Sequence, residues 1–367
     1  MKSKINNKST FFVDCHVFDG NLQGTTSYIK GLYQELINDK SNTFFLAAFD
    51  VENLQTVFGT HENVFYLKYK SKNKYIRLLF DVPKLIKINA IDYAHFQYIV
   101  PPIKKCKYIV TIHDVLFLDF PVYFPLFYKI KNKLLFKASA KYSDVVLTVS
   151  EYSKKQIEKH FNISKITITP NAIDPVYFQT YDKTIIKELV KEKFKATNYF
   201  IYVSRWEPRK NHDRLLKAFV ENNYYKNYNL VFVGDKAIEN KQYNDYYTTL
   251  PKEIKASIFN FNKVNFQDLL LLVRGADLSI YPSIAEGFGI PPLESLAANV
   301  PTICSNTTAM SDFDFFDTCF FNPLDLEDLK SKIQIGLNDT QVFQKRDAMQ
   351  SKFSWKEAAE QFKKAVL

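Results

Sequence analysis

Short apolar runs alternate with helix-patterned stretches along the whole chain, and few folds accept that alternation. Residues 10–17 read as an opening strand and 27–36 as a helix, and strand-like runs recur at 42–49, 93–96, 108–112, 144–149 and 166–169. A second series follows at 199–203, 229–233, 257–259, 278–280 and 302–304, again with helical patterns between the runs. Strands joined by helical crossovers run parallel, so each series predicts a parallel sheet covered by helices. The changeover falls at Pro170-Asn-Ala-Ile-Asp-Pro175, where two prolines frame a turn-rich segment. The expected fold is α/β with two domains, 1–175 and 176–352. A closing helix over 353–367 has Ser354 as N-cap and Glu357 as its capping-box partner.

The chain of 367 residues is long enough for two ordinary cores, and its 46% hydrophobic and 24% charged residues are those of a globular protein. Residues 1–10 lack the apolar core of a signal peptide, and no run is long enough to span a bilayer. The expected location is the cytoplasm, with the inner face of the cell membrane as a candidate docking surface. Cys15, Cys106, Cys304 and Cys319 are scattered without metal spacing and read as reduced, packed thiols.

Charge is uneven, with 24 Lys and Arg against 15 Asp and Glu through residue 175, and 25 against 24 after it. Lys104, Lys105 and Lys107 form one basic cluster. Lys129, Lys131, Lys133, Lys137 and Lys141 form another, just after Phe117, Phe120, Tyr123, Phe124, Phe127 and Tyr128. Cations beside aromatics suit an anionic membrane surface; a solvated lysine face is the other reading. No nucleic-acid-binding module is recognisable, so nucleic acid is not an expected partner.

Candidate chemistry concentrates in Tyr281-Pro-Ser-Ile-Ala-Glu286-Gly-Phe-Gly-Ile-Pro291-Pro-Leu-Glu294. Pro291 and Pro292 fit only a helix start, so the glycine-rich turn joins the end of a strand to the first turn of a helix that carries Glu294. Ligands of open parallel sheets bind at such strand ends, where a helix N-terminus offers N–H groups to an anion. Gly287 and Gly289 would let backbone amides approach a diphosphate closely. On spacing alone two readings stand: a ligand site with two carboxylates, or a solvated loop charge and an acid favoured near a helix start.

The segment resembles the Glu-x7-Glu signature of retaining glycosyltransferases of family 4, which have the GT-B architecture of two Rossmann-like domains facing each other across a cleft. The resemblance implies that Glu286 contacts the donor sugar, Glu294 the nucleotide ribose, and the backbone of Gly287, Phe288, Gly289 and Ile290 the sugar and phosphates. The loop Arg205-Trp-Glu-Pro-Arg-Lys210-Asn is similar to the family's Arg-x4-Lys element, which assigns Arg205 and Lys210 to the diphosphate. Val110-Thr-Ile-His113-Asp114 resembles the His-Asp that many mannosyltransferases of the family turn toward the donor sugar.

Gly20-Asn-Leu-Gln-Gly24 looks like the first-domain glycine loop near the phosphates, without its usual double glycine, which leaves Gly24 in that place. Asn171-Ala-Ile-Asp174 is similar to the Asn-Gly-x-Asp of the interdomain junction, with Ala172 in place of glycine.

These elements imply a retaining, metal-independent transferase that needs no cofactor. It would move a mannose-like hexose from a nucleoside diphosphate sugar to a glycan hydroxyl, with a lipid-linked glycan of surface polysaccharide assembly as the expected acceptor. Asp312-Phe-Asp314 reads as an acidic loop rather than a metal site. A nucleotide-sugar epimerase, a phosphorylase or a non-catalytic glycan binder would share the architecture. A dehydrogenase is excluded because Gly20 and Gly24 lack the Gly-x-Gly-x-x-Gly spacing.

Overall fold

A computed structural model describes residues 8–20 and 24–367. The segment 1–7 of the leader reading and Asn21, Leu22 and Gln23 of the glycine loop lie outside the described residues. The chain divides into two compact units, Met1–Ala172 with Phe353–Leu367, and Ile173–Lys352.

The first unit holds seven strands: β1 Thr10–Asp14, β2 Thr43–Ala48, β3 Val64–Lys68, β4 Tyr93–Gln97, β5 Lys107–Thr111, β6 Val145–Thr148 and β7 Ile166–Ile168. They form one sheet in the order β3-β2-β1-β4-β5-β6-β7, and every pairing is parallel. Four of the five residues of β1, β4 and β5 are buried, as expected of strands covered on both faces. The opening strand is shorter than its apolar run, because after Asp14 the chain turns into a 3-10 segment, His16–Asp19.

The second unit holds β8 Tyr199–Val203, β9 Asn229–Val233, β10 Ile258–Phe261, β11 Leu278–Tyr281, β12 Thr302–Ser305 and β13 Phe320–Phe321. They form a six-stranded parallel sheet in the order β10-β9-β8-β11-β12-β13. Each sheet reverses its winding once, between β1 and β4 and between β8 and β11. Chains leaving adjacent strands there diverge, opening a crevice at the carboxyl ends.

The closing helix Trp355–Val366 belongs to the first unit. The Ser354 hydroxyl accepts the Glu357 N–H at 3.2 Å, and Phe362 packs against Phe11, Tyr33 and His95. Trp355 lies over Gly31 so closely that a Cβ there would meet its ring at 2.0 Å. Gly31 is thus set by helix–helix packing.

Candidate active site

At the winding reversal of the second sheet, two loops meet, one leaving β8 and one leaving β11. The β8 loop passes through Arg205 and a 3-10 turn, Pro208–Lys210, to Asn211. The left-handed φ of 62° at Asn211 lets the helix His212–Glu221 start immediately after it. The β11 loop carries Glu286 and ends at Gly289, whose φ is 101°. The helix Ile290–Ala297 begins at the next residue.

Their backbones are tied together. The Ile284 N–H donates to the Arg209 carbonyl at 2.8 Å, and the Asn211 amide donates to the Pro282 carbonyl at 3.0 Å. Thr308 accepts the Glu286 N–H at 2.9 Å from the other side. The Tyr202 hydroxyl, buried under both loops, donates to the Lys210 carbonyl at 2.8 Å and lies 3.0 Å from Ser283 Oγ. The side chains above this frame are therefore positioned before any ligand arrives.

Lys210 Nζ lies 2.5 Å from Glu286 Oε1. Arg209 Nη1 reaches Glu286 Oε2 at 3.4 Å and the Ala285 carbonyl at 2.6 Å, while its Nε holds Glu207 Oε2 at 2.9 Å. Burial raises the Glu286 carboxyl, but the two cations outweigh it and hold it below the usual carboxylate range. Burial also lowers the Lys210 ammonium, and the Glu286 charge opposes that shift.

Arg205 does not join the cluster as the partner of Lys210 at Glu286. Its side chain is 57% exposed and its Nε lies 3.9 Å from Glu207, because the turn beginning at Pro208 carries Lys210 inward and leaves Arg205 outside. The second cation at Glu286 is Arg209, inside the same sequence segment but not singled out there.

Glu294 lies in the second turn of its helix rather than the first, because the left-handed Gly289 delays the helix start to Ile290. It is partly buried. Burial, then the nearby charge of Asp174, raise its carboxyl to about 7, against a hydrogen bond from the Tyr177 hydroxyl. Pro291 and Pro292 have no N–H, which leaves Gly289 and Ile290 as the backbone donors at the helix end. Phe288 is buried edge-on against Phe313, with ring centroids 5.6 Å apart.

In the first unit, His113 and Asp114 follow β5. His113 is buried, and its Nε2–H donates to Gln97 Oε1 at 2.6 Å. Gln97 continues to His95 at 3.4 Å, and His95 to Tyr33 at 2.8 Å. Burial pushes the His113 imidazole down to about 3, so it is neutral across the physiological range and offers Nδ1 as an acceptor. Asp114 accepts the Leu116 N–H at 3.2 Å. Gly24 is the first residue of the helix Gly24–Leu36.

The Asp312 to Asp314 segment lies in 3-10 turns, with Asp314 bound to Lys352 at 2.9 Å. Among the described residues no helix is long and apolar enough to cross a membrane.

Two doubly wound parallel sheets in one chain define the GT-B class of fold. Solved structures agree: sucrose-phosphate synthase from Thermosynechococcus elongatus superposes with a TM-score of 0.74 at 14% identity, over 97% of this chain and 98% of that one. Anabaena HepE in complex with UDP-glucose gives 0.72 at 15% identity, over 98% and 99%. The family models match in sequence order, Glycosyltransferase Family 4 over residues 23–177 and Glycosyl transferases group 1 over residues 185–352.

Together the two matches span most of the chain and support a family 4, mannosyltransferase-like glycosyltransferase. Among its relatives, the O-antigen chain mannosyltransferase RfbU of Salmonella typhimurium is 30% identical over 61% of this chain. That match spans 59% of RfbU, about three fifths of its length. The O-antigen chain mannosyltransferase B of Escherichia coli is 27% identical over 74% of each chain.

Proposed function

We propose that the protein is a retaining, metal-independent hexosyltransferase that moves a mannose-like hexose from a nucleoside diphosphate sugar to a hydroxyl of a glycan, a lipid-linked glycan in surface polysaccharide assembly. The observation that carries this reading is the convergence of Lys210 and Arg209 on Glu286 at the mouth of a helix opened by Gly289. Anion-stabilising groups and a hydroxyl-orienting carboxylate share one rigid frame there. The mannosyltransferase relatives favour mannose, and their O-antigen roles favour a polysaccharide acceptor.

In this reading the diphosphate sits at the Gly289 helix end, and Lys210 with Arg205 offsets the charge that collects as the glycosidic bond breaks. Glu286 orients the sugar hydroxyls and Glu294 accepts hydrogen bonds from the ribose. The family resemblance assigns His113, restricted to accepting at Nδ1, and Asp114 to the donor sugar and Gly24 to the phosphates. The acceptor oxygen bonds to the anomeric carbon on the face from which the phosphate leaves. The acceptor's proton passes to the departing phosphate oxygen, so no far-face nucleophile is required.

Release of nucleoside diphosphate, measured over a panel of nucleotide hexoses with and without a glycan acceptor, tests the reading. The expected result is acceptor-dependent release, unchanged by chelators, and a product with the anomeric configuration of the donor. No release would make the protein a binder, and acceptor-independent conversion of the sugar would make it an epimerase.

A further inference from the structure

The helix Leu126–Tyr142 of the first unit has two unlike faces. Asn132, Phe136, Ser139 and Ala140 are buried, and Phe136 belongs to the unit's core. On the other side Leu126, Ile130 and Leu134 follow one another at four-residue spacing, the spacing of a helical stripe. They are 68%, 54% and 65% exposed, with Phe127 beside them at 77%. Of the aromatic run preceding the lysines, Phe117 is buried and Tyr128 stacks on Phe124, so Phe127 is the ring this helix turns fully outward. An outward stripe of four large apolar side chains marks an interaction surface rather than scattered exposure.

The charges within the helix are all cationic. Lys129, Lys131, Lys133, Lys137 and Lys141 lie in this helix, and no Asp or Glu occurs between Asp119 and Asp144. Lys137 and Lys141 continue the stripe beyond Leu134. A second segment of the same unit repeats the pattern: Tyr75, Ile76 and Phe80 are exposed among Lys72, Lys74 and Lys84. The two segments are electrostatic neighbours, since burial and then the charge of Lys131 lower the Lys74 ammonium. Their charges therefore reinforce one another.

A protein interface of this kind is depleted in lysine at its core. A nucleic-acid groove uses aromatic platforms and arginine rather than aliphatic side chains. Apolar tips set among lysines match the headgroup and acyl boundary of an anionic bilayer. We propose that the outward face of the Leu126–Tyr142 helix, with the Tyr75–Phe80 segment, docks the protein on an anionic lipid bilayer, Leu126, Phe127, Ile130 and Leu134 entering the interface and the lysines meeting the headgroups. This surface stands independently of the transfer reaction proposed above.

Sedimentation of the full chain with phosphatidylcholine vesicles, and with vesicles that also contain phosphatidylglycerol, tests the assignment. Binding to the anionic vesicles alone is expected, weakening as salt rises. The pair Lys137→Gln and Lys141→Gln should lower partitioning roughly 30-fold. The pair Phe127→Ser and Leu134→Ser should lower it on the same vesicles with an unchanged melting temperature. Phe127→Trp, which keeps the stripe apolar, should add a blue-shifted emission when anionic vesicles are present. Equal binding to both vesicle types, no binding to either, or binding that survives all four substitutions would overturn the proposal. So would a concentration-dependent dimer abolished by the same substitutions, which would give the face to a second copy of the chain.

Discussion

Lys210 and Glu286 stand 76 positions apart in the chain and 2.5 Å apart in space. The loops leaving β8 and β11 bring them together where the second sheet reverses its winding. Glu286→Ala would leave Lys210 and Arg209 facing each other with no anion between them. The expected loss of stability is about 2 kcal/mol, less than for a fully enclosed pair because the Glu286 side chain keeps 17% exposure. Denaturant melts of a cycle with Lys210→Ala should show the double variant losing less than the sum of the singles.

On the proposed reading Arg209 acts through Glu286 as a positioning residue. Its guanidinium holds Glu286, Glu207 and the Ala285 carbonyl at once, a planar fork that an ammonium cannot reproduce. Arg209→Lys should lower kcat roughly 10- to 100-fold with little change in KM, because the carboxylate loses its orientation while its charge environment is kept. A rise in KM at constant kcat would assign Arg209 to ground-state binding of the donor instead.

Glu294 gives the protein a pH signature. With its carboxyl raised from 4.5 to about 7, the native state holds a proton between those values that the unfolded chain has released. Stability contributed at this position therefore falls as pH rises across that window, by at most about 1.4 kcal/mol per pH unit. Glu286 runs the other way: its lowered pKa stabilises the fold above the ordinary carboxylate range and is lost as pH falls through the lowered value. Melts from pH 4.5 to 7 should show Glu294→Gln removing a downward slope. If ribose hydroxyls donate to Glu294 as proposed, they favour its ionised form, and nucleotide binding near about pH 6.5 should release a proton, measurable by calorimetry in buffers of different ionisation heat.

Much of this was legible in the residues. Runs such as Tyr199–Val203, and Asn229–Val233 after its first residue, are apolar, because strands of a covered parallel sheet are buried on both faces. Val64–Lys68 was not legible, since an edge strand keeps only Val64 buried, and Phe320–Phe321 is too short to show a period. Glu286 and Lys210 were marked by their loops. Arg209 was hidden because nothing in a linear run of Arg205, Arg209 and Lys210 says which cations a 3-10 turn carries inward. Tyr177, the neighbour of Glu294, sits 117 positions before it and carries no local signal.

Gly289 tests the helix end. Its φ of 101° disfavours any side chain, and a Cβ would meet Met310 Cγ at 2.8 Å. Gly289→Ala should cost more than about 1 kcal/mol and weaken nucleotide binding, read as a smaller ligand-induced rise in melting temperature than the parent shows. An unchanged rise would place the diphosphate elsewhere.

The most direct measurement is the turnover of Lys210→Ala, followed as acceptor-dependent release of nucleoside diphosphate, with circular dichroism showing that the variant is folded. A loss of about 10²-fold or more is predicted, the scale for removing one preorganised charge from a transition state. Turnover equal to that of the parent in the folded variant would contradict the assignment of the β8 and β11 loops as the donor site.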